Sequence, residues 1–452
     1  MDYNYIKVIY VYMQNNHVNG HLCNIDVTMC NIGAIFMEIK RNIYLDRLVS
    51  KMNNGLIKII TGIRWSGRSH LLFSTFHQYL LEHGTDENHI IEISFDRFED
   101  KKYRDPELAY SYIKSCMRGD ETYFILLDEV QLLKDFNSVL NGLIRIQNVD
   151  LYLTGNDSDF LASAIAESGG RADELRVYPL SFSEFMSAYD GNRYDGWNEY
   201  ILYGGLPSVS LIKNKEQKIS FLKQLFEDSF LNDITRRHKL RNREELDELL
   251  KLLSSSIGSL TNPKQLSDTF RSSRDIRISQ TTLKNYIDYL CEASLVTIAQ
   301  RYDIRGRKYI STPVKYYFAD IGLRNACLGF REIGENRVME NVIYNELLIR
   351  GFQVDAGVAS FSLKNEEGQV VRRQLEVDFM CSRETTRYYI QAAYALPDED
   401  RMRQIQEPFR RIDDFFKRII ITRDCPAPYY TENGILVMSI YDFLLDQGSM
   451  NY

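Results

Sequence analysis

Along the chain, short β-branched apolar runs alternate with longer stretches whose apolar residues recur at helical spacing, the rhythm of an α/β protein. Residues 56–61 (LIKIIT) predict a first strand. HIIEISFDRF (89–98), TYFILLDEVQLL (122–133, with the strand over 123–127) and VDLYLTGND (149–157) predict three more. Between them, HLLFSTFHQYLLEHG predicts a helix closed by Gly84, and DPELAYSYIKSCM predicts another with Pro106 in its first turn. Further on, Asn262 caps a helix with Pro263 at its first position. Ser279 then opens a second, with Leu283, Tyr286, Ile287 and Leu290 on one face. SLVTIAQRY and KYISTP flank the turn DIRGR, a hairpin about Gly306. From about residue 330, helix and strand alternate again through MENVIYNELLIRG, QLEVDFMCS, YYIQAAYAL, KRIIITRD and GILVMSIYDFLL.

The first 36 residues break this rhythm. A β-like run over 6–12 is followed by Asn/His/Gly punctuation and a second apolar run over 32–36. Lys7 interrupts the first run and no small-residue cleavage site follows, which excludes a secretory signal. The text from Met37, MEIKRNIYLDRL, reads as a natural start, so residues 1–36 are expected to be a dispensable extension or an over-called start. The alternative is an extra edge hairpin on the first domain.

Composition narrows the class. With 452 residues, 44% hydrophobic and 26% charged, the chain is ordinary globular material for about two to four domains. Its seven cysteines are scattered without a CxxC pair, against both a disulfide framework and a thiolate zinc site. No apolar run reaches the ~18 residues of a membrane span. The expected setting is cytoplasmic, with no membrane partner. A net charge of −7 means that any nucleic-acid contact needs a local basic patch.

The first strand leads directly into GIRWSGRS and then a helix. Gly62, four residues, Gly67, a cation and Ser69 match a phosphate-binding loop, except that Arg68 stands where lysine is expected. Glycines let backbone N–H groups turn inward and approach phosphate oxygens closely. The candidate cofactor contacts are Gly62, Ile63, Arg64, Trp65, Ser66, Gly67, Arg68, Ser69 and His70, and the cofactors are ATP and Mg²⁺. The strand over 123–127 ends in Asp128 and Glu129, at the carboxyl edge where ligands bind in parallel sheets. Ser69 and Asp128 suit the Mg²⁺ shell, and Glu129 suits a base orienting the attacking water. A strand lying between the loop strand and the acidic strand would set Glu129 beside the γ-phosphate. Asn156, after the next strand, would hold the same water or sense the phosphate, or be a turn residue.

These motifs, with GGRADELRVYPLSFSEF, YGGLPS (203–208), KYYFADIGLRNACLGF (315–330) and LEVDF (375–379), resemble the prokaryotic AAA-type ATPases that carry a C-terminal domain of unknown function. The resemblance spans about residues 37–452. It implies ATP binding through the loop and acidic strand, a final domain folded like PD-(D/E)xK nucleases, and Arg171 as a phosphate-contacting arginine. The sequence departs from that pattern at Arg68. Arg is planar and prefers bidentate contacts where the site wants a compact ammonium, so binding is expected to survive while turnover falls. Arg64 could share the phosphate contact.

Residues 262–315 read as a winged helix. From Lys264 to Lys315 ten Lys/Arg face five Asp/Glu, and RRHKLRNR (236–243) adds five cations. If this region meets duplex DNA, Gln280, Thr281, Lys284 and Asn285 would enter the major groove, with Arg305 and Arg307 on backbone or minor groove. Otherwise the winged helix is an interdomain lid or meets a protein. In the final domain Glu340 and Asp378 occupy the acid positions of a two-carboxylate nuclease, but the following strand offers Gln391, Ala392 and Ala393. The lysine is absent and the second acid is an amide, so an inactive scaffold is expected.

The expected organisation is an extension (1–36), an AAA-type P-loop core (37–190), a helical and winged-helix region (191–315) and a nuclease-like α/β domain (316–452). The expected function is ATP binding with weak turnover that positions the distal domains. The alternatives are a DNA or protein adaptor without turnover and, less favoured, a divergent nuclease. The oligomeric state is left open.

Overall fold

Burial on both faces selects the strands of the first sheet. In the computed structural model, which describes residues 39–155, 165–166, 169–274, 277–331, 333–364, 368–395 and 398–452, β1 (Ile57–Thr61) and β3 (Tyr123–Asp128) are almost wholly buried. With β2 (Ile90–Ser94), β4 (Val149–Thr154) and β5 (Ala172–Arg176) they form an all-parallel sheet of order β2-β3-β4-β1-β5. On one face Ile57, Ile59, Ile125 and Leu127 pack under helices Pro106–Cys116 and Phe136–Leu143. On the other, Ile60, Phe124 and Leu126 pack with Tyr44 and Leu48 of α1 (Asn42–Val49) and with Leu72, Phe76 and Leu80 of α2 (68–82). The middle turns of α2, Leu71–Phe76, are π-helical. The expected strands are all present, and β4 is the one between β1 and β3. The edge strand β5 was not anticipated. The extension 1–36 and Asn156 lie outside the described residues.

A helical region follows. It comprises α3 (Arg193–Tyr203), α4 (215–237), α5 (Arg243–Ser255), α6 (Pro263–Arg274) and α7 (Gln280–Glu292). Asn262 and Gln265 cap each other's backbone N–H groups at 2.8 and 3.2 Å, and Ser279 accepts from the Thr282 N–H at 3.0 Å. Leu283, Tyr286, Ile287 and Leu290 are buried, as their spacing predicts.

The hairpin that follows corrects the expected boundary at 315/316. β6 (Val296–Asp303) and β7 (Lys308–Phe318) pair antiparallel, and β6 also pairs parallel with β8 (Gln353–Lys364). Both strands thereby belong to an eight-stranded mixed sheet of order β12-β13-β11-β10-β9-β8-β6-β7. The remaining strands are β9 (Val370–Arg383), β10 (Thr386–Ala393), β11 (Lys417–Thr422), β12 (Tyr429–Tyr430) and β13 (Leu436–Ser439). The hairpin turn is not a free wing: Ile304 is buried with Val377 and Met380, and its N–H donates to the Val358 carbonyl at 2.9 Å. Helix α8 (Glu335–Ile349) covers the other face of the sheet, and a single core joins that face to the helical region. No helix among the described residues is long and apolar enough to cross a membrane.

Lys58 and Asp150, on neighbouring strands β1 and β4, form an ion pair in which the lysine is fully buried. Asp150 also accepts from the Tyr152 hydroxyl at 2.8 Å and from the Asn53 N–H at 2.9 Å. Removing one partner of such a pair leaves an uncompensated buried charge. Lys58→Met is therefore expected to lower unfolding free energy by about 3–5 kcal/mol in a denaturant titration.

Candidate functional site

Parallel strands deliver their following loops to one edge, and here that edge collects the phosphate-loop residues, Asp128 and Glu129. Gly62 leaves β1 at φ +139°, and a Cβ there would lie 2.1 Å from the Val177 carbonyl oxygen, so only glycine fits. Gly67 has φ +93° and opens α2. Ser66 is buried, and its hydroxyl has no hydrogen-bond partner among the described residues. Ile63 is buried in the core shared with the helical region, while Ser69 and His70 begin α2.

Arg64 and Trp65 turn outward. The Arg64 guanidinium lies 3.7 Å from Asp233, and the Trp65 indole N–H donates to Ser229 Oγ at 3.3 Å, both partners being on α4. Burial alone would raise the Asp233 pKa, but Arg64, Arg237 and Arg236 outweigh it and hold the carboxyl below its ordinary range. Arg236 and Arg237 pair with Asp233 at 2.9 and 2.7 Å, so part of the basic run 236–243 is committed internally.

Arg68 is buried and turned towards the acidic strand. It donates to the Gly155 carbonyl and, at 3.1 Å, to Glu129 Oε1. Glu129 sits in the left-handed region at φ 55°, its N–H donating to Thr154 Oγ1 at 3.2 Å, and Gln131 donates to its second oxygen at 2.5 Å. Asp128 accepts from Thr154 Oγ1 and, at 3.1 Å, from Ser94 Oγ, and a hydrogen bond from Ser69 also reaches it. Burial pushes the Asp128 and Glu129 carboxyls up and Arg68 down, against the attraction between them. The arrangement couples the loop cation to the proposed water-orienting carboxylate.

Arg171 lies elsewhere in its own chain. Its carbonyl accepts from the Ile57 N–H at the start of β1, the opposite end of the strand from Gly62, so within one chain it is not brought to the loop. The arginine that does reach the loop is Arg41, which sequence reasoning missed. Nearly buried, it donates to the Ser66 carbonyl at 2.8 Å, the Tyr178 carbonyl at 2.7 Å and Glu184 Oε1 at 3.0 Å. No local pattern marks it, because its partners come from two distant segments, the loop at Ser66 and the stretch after β5 at Tyr178 and Glu184.

The other candidates fall elsewhere. Gln280 and Lys284 are exposed on α7, and Arg305 and Arg307 are exposed at the β6–β7 turn, where Arg305 lies 3.7 Å from Asp413. In the C-terminal sheet, Gln391 accepts from the Asp378 N–H at 3.1 Å and donates to the Glu376 carbonyl at 3.1 Å, which makes it a strand staple. Ala393 leaves β10 without a lysine, as expected, yet the acids do not lack a cation: Lys315 of β7 lies among Glu340, Glu376 and Asp378.

Residues 54–186 match the family model of an AAA domain, and residues 194–333 match that of a domain of unknown function (DUF8612). The core is thus of the AAA-type P-loop class. The chain belongs to one family with an uncharacterised protein of Haemophilus influenzae, to which it is 31% identical over 417 residues, 90% of this chain and 98% of that protein. An uncharacterised protein of Methanocaldococcus jannaschii is 26% identical over 79% of each chain. Among solved structures, the Aeropyrum pernix ORC1 protein in complex with DNA is similar at 13% identity, covering 64% of this chain and 92% of that one, with a TM-score of 0.28. A Thermotoga maritima DNA polymerase III gamma subunit-related protein gives 12%, 55%, 90% and 0.27.

Because Arg41 is the cation for buried Glu184 and a donor to two loop carbonyls, Arg41→Met is expected to destabilise the chain by about 3–5 kcal/mol. Arg41→Lys should recover only part of this in thermal melts, since an ammonium cannot reproduce the planar fork of donors.

Proposed function

We propose that the chain binds ATP with Mg²⁺ at Gly62–Ser69 and turns it over slowly, passing its nucleotide state to the helical region. One observation carries this reading: the glycine-built loop, Ser69, Asp128 and Glu129 converge at the carboxyl edge of one parallel sheet. The residues fit the ligand, because the glycines present backbone N–H groups and the Ser66 hydroxyl is buried without a partner. Ser69 and Asp128 would hold the metal ion, which supplies charge neutralisation at the phosphates. Glu129 would orient water, but Arg68 competes for its carboxylate, which accounts for slow turnover. Arg64 and Trp65 link the loop to α4 and thus offer a path to the distal domains.

A thermal melt tests binding directly. ATP·Mg²⁺ at a hundredfold excess over Kd should stabilise the chain by about 2.7 kcal/mol, and an unmoved melt refutes the reading. Arg68→Lys should raise turnover, since the shorter lysine lacks the planar fork with which the guanidinium spans Glu129 and the Gly155 carbonyl, and so frees Glu129 for water. Glu129→Gln in that background should abolish turnover and keep binding, as measured by phosphate release and by the melt.

The exposure of Gln280, Lys284, Arg305 and Arg307 supports a second reading, an adaptor touching duplex DNA. If it holds, Arg305→Ala with Arg307→Ala should flatten the slope of log K against log salt by roughly two units, at about 0.9 per lost phosphate contact. An unchanged slope, or no DNA binding with and without ATP, refutes this second reading.

A further inference from the structure

One ammonium and three carboxylates meet where β7, α8 and β9 come together. Lys315 is 1% exposed, and its Nζ lies 2.9 Å from Glu340 Oε1, 2.6 Å from Glu376 Oε1 and 3.7 Å from Asp378 Oδ1. Further hydrogen bonds hold the cluster. The Tyr317 hydroxyl donates to Glu340 Oε1 at 2.6 Å, and the Ala392 N–H donates to Asp378 Oδ2 at 2.8 Å. Gly258, at φ +70°, lies against Glu340, and only a residue without a Cβ leaves room there, since a Cβ would fall 2.8 Å from Oε1. Glu376 keeps about a third of its side chain exposed and opens the cluster to solvent.

Oxygen-ligated divalent cations sit about 2.0–2.6 Å from their carboxylates and need several of them converging on one point. Here the three carboxylates converge on the lysine. As the structure stands, with Lys315 in place, neither this cluster nor any other group of three His, Cys, Asp or Glu among the described residues is arranged to hold a metal ion. We propose that the Lys315 ammonium is a built-in counter-ion standing where a divalent cation would otherwise be held by Glu340, Glu376 and Asp378, so that the domain is kept metal-free and loss of the ammonium opens a metal site. A cation entering the wild-type cluster would meet a fixed like charge with no room to move aside, because Lys315 is buried and bonded on several sides. The ammonium also ties β7 to α8 and β9, which gives it a structural reason to stay. This inference stands independently of nucleotide binding.

The test uses the full chain without nucleotide and Mn²⁺ as the probe, with free Mn²⁺ followed by electron paramagnetic resonance. Wild type and Asp378→Asn should give the same isotherm, because weak binding at the P-loop is common to both. Lys315→Met should gain one Mn²⁺ at least tenfold tighter than any the wild type retains, and the gain should vanish in Lys315→Met with Asp378→Asn. Lys315→Arg, which keeps the cation, should gain nothing. If Lys315→Met does not fold, Mn²⁺ should restore its cooperative melt where equal ionic strength of Na⁺ does not. The proposal is overturned by Mn²⁺ bound to wild type and lost in Asp378→Asn, which would make Lys315 the companion of a genuine metal site. A folded Lys315→Met without an Asp378-dependent site, or an unfolded one that Mn²⁺ fails to rescue, overturns it equally.

Discussion

The path of the chain leaving β1 is set by a collision that only glycine avoids. The carbonyl of Val177, just past β5, lies where any side chain at residue 62 would have to go. Two parallel strands that run side by side from Ile57 opposite Ala172 to Thr61 opposite Arg176 therefore release their following segments almost in contact. The segment after β5 carries Tyr178, whose carbonyl is held by the same Arg41 that holds Ser66. The loop is thus shaped from inside by its glycines and from outside by a guanidinium, before any ligand arrives. That is preorganisation in a physical sense, since little backbone freedom remains to be lost on binding.

Much of this was legible in the sequence where burial imposes a pattern. β1, β3 and β4 are buried on both faces and so appear as apolar runs, broken in β1 and β4 only by Lys58 and Asp150, which pair with each other. The caps at Asn262 and Ser279 follow from local hydrogen bonding and were equally legible. β5 was not, because ADELR lies at an edge, half exposed, and offers neither alternation nor an apolar run. β8 hid for a related reason: its buried stretch is built partly from Gly357, Ala356 and Ala359, residues that signal no strand on their own.

The functional residues divide along the same line. The phosphate loop is contiguous, so its spacing is visible. Arg41 and Lys315 act through partners brought from distant segments, and nothing local distinguishes them from surface cations. Lys315 adds to the basic balance of 264–315, yet it is buried against acids and contributes nothing to a surface patch. Arg171 is the opposite case, a candidate that lies away from the loop of its own chain. It sits one residue before a strand that was not recognised, and the polarity of that strand carries it to the far edge of the sheet.

The placement of the β6–β7 hairpin changes how a nucleotide-driven motion could travel. A winged helix that swings on linkers would act as a separate lid. Here β6 pairs with β8, and Ile304 is buried among residues of β9 and its neighbours, so the hairpin moves only with the C-terminal sheet. The helical region shares one continuous core with that sheet, and the loop reaches the region through Arg64–Asp233 and Trp65–Ser229. Close-packed interiors yield by shifting between discrete packings rather than by bending. Any rearrangement begun at residues 64 and 65 would therefore move helices and sheet together against the parallel-sheet core. The segment joining these bodies, where Gly205 donates to Asp320 at 2.8 Å and accepts from the Leu180 N–H at 2.7 Å, is where such a movement would have to be absorbed.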